Sequence, residues 1–322
     1  MSRRILLALV AAWAVVAAAC GDQAAPPDGE EELDVVLIQG VRGDEFYVTM
    51  DCGAREAAQE LGVNIDVQGP QEFDPTLQTP IVNAVVAEGP DAILIAPTDR
   101  TAMIPPLQAA QDAGITIVLV DTIVDAPDIG VSRIATDNVE GGRVAGDALA
   151  ELIGEEGKVM VITTDPGVST VEERQQGFEE AIANYGDIDY LGTEFSHNEP
   201  ETAAQIVTST LAAEPDLAGV FATNLFSAEG TASGLREAGL LGDVKIVGFD
   251  ASPGQVAQVQ EGLVQSLVAQ NPREIGRQGV EQAVAALRGE DVEAQISTPL
   301  TVVTEDNLED PEVQDTLYVG EC

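Results

Sequence analysis

Polar side chains follow the ends of several apolar runs along this chain. The runs have the length and the β-branched composition of buried strands. The polar residues that come after them are Asp99, Asp121, Asn224, Asp250 and Gln270. One such residue is an ordinary loop cap, but five at one edge of a sheet predict a ring of fixed hydrogen-bond donors and acceptors. Because planar carboxylate and amide groups can each bind two neighbouring hydroxyl groups, the ring suits a neutral polyol.

Two aromatic residues, Phe46 and Tyr47, begin the helix that follows the first apolar strand. They therefore lie near the carboxyl end of a strand, where open α/β sheets bind ligands. Aromatic rings cover the C–H face of a sugar, whereas a phosphate would require several cations. Packing of the helix is the competing interpretation, with one of the two rings in the core. Acids, amides and rings together favour a sugar or a small polyol.

Signatures of catalysis, metal binding and nucleotide binding are missing from the sequence. A Ser-His-Asp arrangement would have to use the single histidine, His197, and no G-x-S-x-G elbow precedes a helix. Zinc sites need several His or Cys residues at set spacing, and no phosphate-binding G-x-x-x-x-G-K-[ST] run occurs. The glycines at 141, 142 and 146 lack the strand and turn of a dinucleotide site, so we expect them to let a helix pack closely. We expect no enzyme activity, metal or cofactor.

Strand-like and helix-like segments alternate from residue 34 to residue 270. Apolar runs such as 92–96 and 115–120 are separated by stretches with an apolar residue every three or four positions. This order predicts an α/β fold with parallel sheets and right-handed crossovers. Because a single core stops growing at about 250 to 300 residues, and residues 34–136 and 137–270 each form a series of βα units, we predict two lobes.

The N-terminus has the three zones of an export signal. Two arginines precede an apolar run at residues 5–19, whose last three alanines lead to Cys20. This end resembles the lipobox of bacterial lipoproteins, although Ala17 stands where that motif usually has leucine. The resemblance implies a signal peptide at 1–19, a diacylated Cys20 and a tether at 20–33 that anchors the protein outside the cell membrane. A plain secretory signal is the alternative, and both predict export.

The composition is strongly acidic. Fifty-six Asp and Glu residues oppose 14 Lys and Arg residues, so the formal net charge is −42 at pH 7. The acids are distributed along the whole chain, which indicates a solvated acidic surface. A charge of this sign argues against nucleic acid as a partner and favours solubility.

Two cysteines, Cys52 and Cys322, lie beyond the N-terminal one. In an oxidising compartment an isolated pair favours a disulfide. We therefore predict a Cys52–Cys322 bond that attaches the C-terminal tail near the start of the first helix. Two free, buried thiols are the alternative.

The candidate residues lie in motifs that resemble those of the periplasmic sugar-binding proteins of ABC importers. The likeness is to the ribose-binding type, also called type I periplasmic binding proteins, and it covers residues 34–304. The motifs that carry it are F-Y at 46–47, G-A at 53–54, I-L-I-A-P-T-D at 93–99, V-D at 120–121, A-T-D-N-x-x-G-G at 135–142, E-R-x-x-G-F at 173–178, P-D-L-A-G-V-F-A-T-N at 215–224, V-G-F-D at 247–250 and A-Q-x-P at 269–272.

This resemblance implies a ligand-binding role for eight residues. Phe46 and Tyr47 correspond to rings that stack on the ligand. Asp121 corresponds to a carboxylate that accepts hydrogen bonds from two ligand hydroxyl groups, and Arg174 to a guanidinium that donates two hydrogen bonds. The other implied contacts are Asp44, Asn224, Asp250 and Gln270.

Four further positions are secondary candidates for a wall of the ligand pocket. Ala96 stands where the ribose binders carry a ligand-binding asparagine, and Thr122 stands where they carry an arginine, so both departures argue against ribose. An aromatic contact of the ribose binders falls near His197 and Asn198. A solvated loop residue is the alternative for His197.

The resemblance also implies two Rossmann-like lobes joined by a three-strand hinge, with crossings near Thr136, Gln270 and Thr301. The predicted N-terminal lobe comprises residues 34–136 and 271–301, and the C-terminal lobe with its tail comprises 137–270 and 302–322. Such lobes close around a monosaccharide by a hinge motion. The implied partner is an ABC transporter permease, and we expect the binding protein to be a monomer.

Three other functions stay open at this point. A sugar-responsive repressor shares the implied fold, but it needs a basic helix-turn-helix segment of about 60 residues where this chain has an export signal. A glycosidase would use two carboxylates about 5 to 9 Å apart. A binding protein that reports to a chemoreceptor or a sensor kinase would have the same sequence features.

Overall fold

The computed structural model describes residues 33–240 and 242–322. The predicted signal peptide, the lipidation at Cys20 and nearly all of the tether lie outside the described residues. No helix of the described part is both long and apolar enough to cross a membrane.

A six-stranded parallel sheet forms the centre of the N-terminal lobe. Its middle strands are uninterrupted apolar runs, and every residue of the strand at Ala92–Ile95 is buried, as expected for a sheet covered on both faces. In sheet order the strands are β11 (Gln295–Thr298), β5 (Ser132–Thr136), β4 (Thr116–Val120), β3 (Ala92–Ile95), β1 (Asp34–Ile38) and β2 (Asn64–Gln68).

A second six-stranded sheet forms the C-terminal lobe. It is parallel except for its last strand, which runs antiparallel to its neighbour. In sheet order the strands are β12 (Thr301–Val303), β10 (Ser266–Ala269), β9 (Lys245–Phe249), β8 (Leu217–Ala222), β6 (Glu156–Thr163) and β7 (Asp187–Phe195). The predicted α/β fold with two parallel-sheet lobes is confirmed.

Helices pack against both sheets. Those of the N-terminal lobe are α1 (Glu45–Leu61), α2 (Pro75–Glu88), α3 (Ile104–Asp112) and α9 (Pro272–Arg288). Those of the C-terminal lobe are α4 (Asn138–Ile153), α5 (Ser169–Ile182), α6 (Pro200–Ala213), α7 (Leu225–Ala238) and α8 (Pro253–Gln260). A short helix, α10 (Pro311–Gln314), lies in the C-terminal tail.

Local sequence accounts for where the first helix begins and ends. The Asp44 side chain accepts a hydrogen bond from the N–H of Phe46, which satisfies a donor that the first turn leaves free. Gly62 ends α1 with a φ of 70°, a left-handed conformation that glycine adopts without steric cost. These signals place Phe46 and Tyr47 in the first turn, next to the carboxyl end of β1.

The chain passes between the sheets after β5, after β10 and between β11 and β12. Side chains at these crossings contact one another. The Thr136 hydroxyl donates to Gln270 Oε1 at 2.7 Å and lies 3.4 Å from the Thr298 hydroxyl. Thr301, which the predicted boundary assigned to the N-terminal lobe, pairs with Ala269 in the second sheet. The other lobe limits stay predictions.

Loops of the two lobes also contact each other. The backbone N–H of Arg100 donates to the carbonyl oxygen of Gly167 at 2.9 Å, and the Arg100 guanidinium pairs with Glu172 at 2.6 Å. The N–H of Ile123 donates to the Ser169 hydroxyl at 3.0 Å. The segments that follow β3 and β4 are therefore joined to the start of α5 by polar contacts.

Helices α4 and α5 pack at a distance that requires glycine. A Cβ atom on Gly142 would lie 1.9 Å from the carbonyl oxygen of Arg174, and one on Gly177 would lie 1.9 Å from that of Val139. The close packing predicted for the glycines near residue 142 is confirmed. Because Gly142 packs directly on the backbone of Arg174, this contact also fixes the position of the Arg174 Cα atom relative to α4.

Replacing Gly142 with alanine should destabilise the protein by about 1 to 3 kcal/mol, the range that overpacking of a core typically costs. The added Cβ meets a backbone carbonyl, so the two helices must move apart. Urea unfolding measures the effect. Gly186→Ala is the matched control, because no atom lies within 4 Å of the added Cβ there. Equal stabilities of the two variants would show that the close packing contributes nothing.

Candidate functional site

A cavity between the lobes contains all eight residues that the sequence assigned to ligand binding. Its volume is about 50 Å³. The predicted residues that line it are Asp44, Phe46, Tyr47, Asp121, Arg174, Asn224, Asp250 and Gln270. Six other residues line it as well: Phe73, Thr164, Val168, Thr170, Val171 and Asn198. The fold thus brings together side chains from both lobes and from the crossing after β10.

The first turn of α1 supplies two rings to the N-terminal side of the cavity. Phe46 and Tyr47 are both buried, and their rings meet edge to face with centroids 5.1 Å apart. The Tyr47 hydroxyl donates to Asp121 Oδ2 at 2.8 Å. Tyr47 therefore both lines the cavity and fixes the carboxylate of Asp121, which comes from the end of β4.

Asp121 and Asp250 occupy equivalent positions in the two lobes. Each follows a strand, β4 or β9, and each backbone N–H donates to the neighbouring strand, to Ile134 at 2.8 Å and to Val268 at 2.9 Å. Their φ angles are 64° and 77°. Residues other than glycine rarely adopt this left-handed region, and such strain concentrates at ligand sites. The two acids therefore mark the same edge of each sheet.

Three donors hold the carboxylate of Asp250. Its Oδ1 accepts from Gln270 Nε2 at 2.7 Å and from the Tyr318 hydroxyl at 2.9 Å, and its Oδ2 accepts from the N–H of Leu225 at 3.0 Å. Leu225 is the first residue of α7, where the helix dipole favours a negative charge. Asp250 is thus preorganised by the C-terminal lobe, the hinge and the tail together.

The guanidinium of Arg174 lines the cavity and uses only some of its N–H groups in hydrogen bonds within the protein. Its Nε donates to Asn138 Oδ1 at 2.9 Å and its Nη1 to the carbonyl oxygen of Thr223 at 2.8 Å, while its guanidinium carbon lies 3.7 Å from the centroid of the Phe249 ring. A guanidinium has five N–H groups. The other three have no hydrogen bond within the described residues, so a ligand in the cavity can accept them.

Asn224 and Asn198 form a pair at the C-terminal side of the cavity. Asn224 caps α7, and its Nδ2 donates to Asn198 Oδ1 at 2.7 Å. Asn198, a secondary candidate, therefore lies in the site. Its φ is 58° and that of His197 is 54°, so two consecutive residues adopt the left-handed conformation there.

The sequence reasoning missed Thr164 and Phe73. Thr164 directly follows β6, the same kind of position that identified Asp121 and Asp250, so the strand-end rule could have found it. Its hydroxyl is buried and has no hydrogen-bond partner in the part of the chain described by the structure. Phe73 lies in the loop between β2 and α2 and adds a third ring to the cavity wall. No local pattern distinguishes it from a packing residue.

The other three secondary candidates do not line the cavity. Ala96 is fully buried, and its carbonyl oxygen accepts from Gln78 Nε2 at 2.7 Å; the Thr122 hydroxyl donates instead to Pro97. His197 is exposed, with Nδ1 2.6 Å from Asp165 Oδ1, and it lines a neighbouring groove of about 760 Å³ together with Asp99. The structure thus places these three outside the cavity wall, and a role for them in ligand binding stays a prediction. Within the described residues, no cluster of His, Cys, Asp or Glu could hold a metal ion.

Burial dominates the electrostatics of the acids in the cavity. It raises the pKa of Asp121 to about 6, although the positive charge of Arg174 and the hydrogen bond from Tyr47 both favour the ionised form. Burial likewise raises the pKa of Asp44 well above its usual range, with Asp250 adding a like charge. Arg174 offsets only part of the effect of burial on the pKa of Asp121. The site therefore prefers a ligand with neutral hydrogen-bond donors over an anionic ligand.

Protein stability should fall as the pH rises from about 4 to 6. An unfolded aspartate has a pKa of about 3.9, so in this window the folded protein keeps a proton on Asp121 that the unfolded chain has lost. The free energy of unfolding should therefore decrease by about 2 kcal/mol from this residue across the window, out of about 3 kcal/mol in total. Urea midpoints across this window, for the wild type and for Asp121→Asn, test it. The variant should lack this part of the decrease, and parallel curves would contradict the assignment.

The Sγ atoms of Cys52 and Cys322 are 2.04 Å apart, so the structure has a disulfide between them. Cys52 is midway along α1 rather than at its start, because the helix begins at Glu45. The end of the C-terminal tail is therefore attached to the helix that carries Phe46 and Tyr47.

The family model for the periplasmic binding protein domain matches residues 35–291. The chain therefore belongs to the periplasmic binding protein family. This match covers both lobes and all eight predicted ligand-binding residues, and it ends before β11 and the C-terminal tail.

Relatives and solved structures agree with this assignment. The ribose import binding protein of Escherichia coli is 33% identical over 269 residues, 84% of this chain and 90% of that protein. An ABC transporter solute-binding protein from Agrobacterium vitis, solved with α-D-tagatopyranose, is 42% identical with a TM-score of 0.88, covering 89% of this chain and all of that one. A carbohydrate transporter solute-binding protein from Agrobacterium radiobacter, solved with D-arabinose, is 31% identical with a TM-score of 0.85, covering 90% and 100%.

Proposed function

We propose that this protein is an extracytoplasmic lipoprotein that binds a monosaccharide between its lobes and delivers it, as a monomer, to an ABC transporter permease. The main support for this proposal is the cavity in which acids, amides, an arginine and aromatic rings from both lobes converge. The relatives support the ligand class, because their names and titles specify ribose, tagatopyranose and arabinose. The sugar is bound and released unchanged.

Ligand entry requires the lobes to separate. Small-molecule sites generally have volumes of about 300–1,000 Å³, whereas this cavity has about 50 Å³. The crossings after β5, after β10 and between β11 and β12 provide a hinge, and the contacts of Arg100 with Gly167 and Glu172 would break on opening. A hinge closure of this kind excludes water from a bound ligand.

The site has enough hydrogen-bonding groups for a tight complex. Micromolar affinity corresponds to about 8 kcal/mol, and a hydrogen bond to a charged group contributes about 1.5 to 3 kcal/mol. Asp121 and Arg174 are charged groups that line the cavity with few internal partners, and Asp44, whose pKa burial raises, adds a further carboxyl group. Together with stacking on Phe46 and Tyr47, they supply the required energy and a surplus that offsets desolvation of the sugar.

A thermal-shift screen over monosaccharides and polyols tests the proposal. A ligand at about 100 times its dissociation constant should add about 2.7 kcal/mol of stability. We expect one or a few sugars to raise the melting temperature and to be recovered unchanged after incubation. No response to any monosaccharide would refute sugar binding, and a hydrolysed or altered sugar would indicate an enzyme.

The anchoring and delivery steps need separate tests. Changing Cys20 to serine should release the protein from membranes if the cysteine carries the lipid. Stimulation of ATP hydrolysis by the reconstituted cognate permease, only in the presence of sugar, would support delivery. A sugar-bound protein that stimulates a sensor kinase or a chemoreceptor instead would place it in signalling.

A further inference from the structure

The C-terminal tail contacts the binding site from outside the region that the family model matches. That region ends at residue 291. After β12, the tail packs on the C-terminal lobe, where Leu308, Val313 and Tyr318 are all buried. The backbone N–H of Tyr318 donates to the carbonyl oxygen of Ala251, which follows the site residue Asp250, at 3.0 Å.

The next residue, Val319, already contacts the N-terminal lobe. The N–H of Val319 donates to the Thr49 hydroxyl at 2.9 Å, and Cys322 is bonded to Cys52. Thr49 and Cys52 both lie on α1. The tail is therefore joined to the C-terminal lobe at Tyr318 and to the N-terminal lobe from Val319 onward, so it links the lobes in addition to the three hinge crossings.

Tyr318 makes its side-chain contacts where the tail passes from the C-terminal lobe to the N-terminal lobe. Its hydroxyl donates to Asp250 Oδ1 at 2.9 Å and accepts from the N–H of Gln270 at 3.2 Å, while its ring meets that of Phe46 with centroids 5.9 Å apart. Asp250, Gln270 and Phe46 all line the cavity. Tyr318 does not line it, so it would act on the ligand through its neighbours.

The two lobes thus hold their equivalent acids in the same way. Asp121 accepts from the Tyr47 hydroxyl at 2.8 Å, and Asp250 accepts from the Tyr318 hydroxyl at 2.9 Å. The first tyrosine belongs to a helix of its own lobe, whereas the second comes from a tail that is covalently attached to the opposite lobe. The orientation of Asp250 is therefore linked to the position of α1.

We propose that the tail is a fourth, covalently closed crossing between the lobes, through which Tyr318 acts as a positioning residue for Asp250 and limits how far the lobes open. The positioning part rests on the proposed sugar-binding function. The crossing itself does not, because its contacts lie within the protein.

The first arm of the test compares Tyr318→Phe with Tyr185→Phe. The Tyr185 hydroxyl donates to Asp147 on the surface, so its loss is a matched control for removing a tyrosine–aspartate hydrogen bond. The probes are D-tagatose, D-ribose, D-arabinose and the monodeoxy analogues of whichever sugar binds, measured by calorimetry. Tyr318→Phe should weaken binding by about tenfold and should discriminate less between the sugar and the analogue that lacks the hydroxyl bound by Asp250. A merely structural role would weaken all analogues equally.

The second arm needs no ligand. Small-angle scattering compares the oxidised wild type with the double variant Cys52→Ser, Cys322→Ser, and the variant should have a larger radius of gyration because its lobes open further. Equal radii would overturn the crossing, and wild-type affinity and discrimination in Tyr318→Phe would overturn the positioning role. If the wild type binds none of these probes and no sugar of the thermal-shift screen, sugar binding itself has failed and the positioning role falls with it, while the scattering result still decides the crossing.

Discussion

Replacing Arg174 with alanine should reduce sugar affinity by roughly two to four orders of magnitude. The guanidinium has three N–H groups without a partner in the described residues, and two of them can donate to neighbouring hydroxyl groups of a ligand. Each charged hydrogen bond contributes about 1.5 to 3 kcal/mol, and about 1.4 kcal/mol corresponds to a tenfold change in affinity. Calorimetric titration with the sugar identified in the screen measures the loss.

The control for this prediction is Arg236→Ala. Arg236 forms an exposed ion pair with Glu261 at 3.1 Å and lies outside the cavity, so its loss should leave affinity unchanged. Arg174→Lys serves where the alanine variant folds poorly: lysine keeps the charge but loses the planar fork, so affinity should still fall. Wild-type affinity in either Arg174 variant would show that the cavity is not the ligand site.

Removing the disulfide should destabilise the folded protein by roughly 5 kcal/mol in the chain-entropy model. The bond joins residues 270 positions apart, and the stabilisation expected from restricting the unfolded chain grows with the length of the closed loop. Urea unfolding of the wild type, with and without reductant, measures the difference.

The double variant Cys52→Ser, Cys322→Ser is the control for reduction. It should be as unstable as the reduced wild type and should not respond to reductant. Alkylation followed by mass spectrometry gives an independent check, since an intact bond leaves both thiols unmodified unless reductant is added. Labelling of both thiols without reductant would contradict the bond.

The fold and most of the site could be predicted because they depend on local patterns. Buried parallel strands are continuous apolar runs, and the residue after such a strand lies at the ligand-binding edge of the sheet. This reasoning identified Asp121, Asp250 and Gln270, and the family resemblance added Arg174 and Asp44. All five line one cavity. Thr164 obeys the same rule and was overlooked because its hydroxyl is a weaker signal than a carboxylate.

Positions that depend on loop packing were less predictable. The order of residues places Ala96 and Thr122 beside strand ends, yet Thr122 turns its hydroxyl to Pro97, and only the backbone of Ala96 makes a polar contact. His197 and its neighbour Asn198 adopt the same left-handed conformation and both line the outer groove, but only Asn198 also lines the cavity. Adjacent residues in an irregular loop have no fixed period, so the sequence does not distinguish them.

The sequence by itself determined two α/β lobes, an acidic surface and a set of strand-end groups suited to a small hydroxyl-rich ligand, because each of these follows from composition or from a short repeating pattern. The cysteine pair predicted that the tail is attached to α1, but only the tertiary structure decided that Tyr318 holds Asp250 and that loops after β3 and β4 contact the start of α5. Such contacts join segments far apart in the chain, and no periodic signal records them. They are set by how the lobes pack, which depends on the whole chain at once.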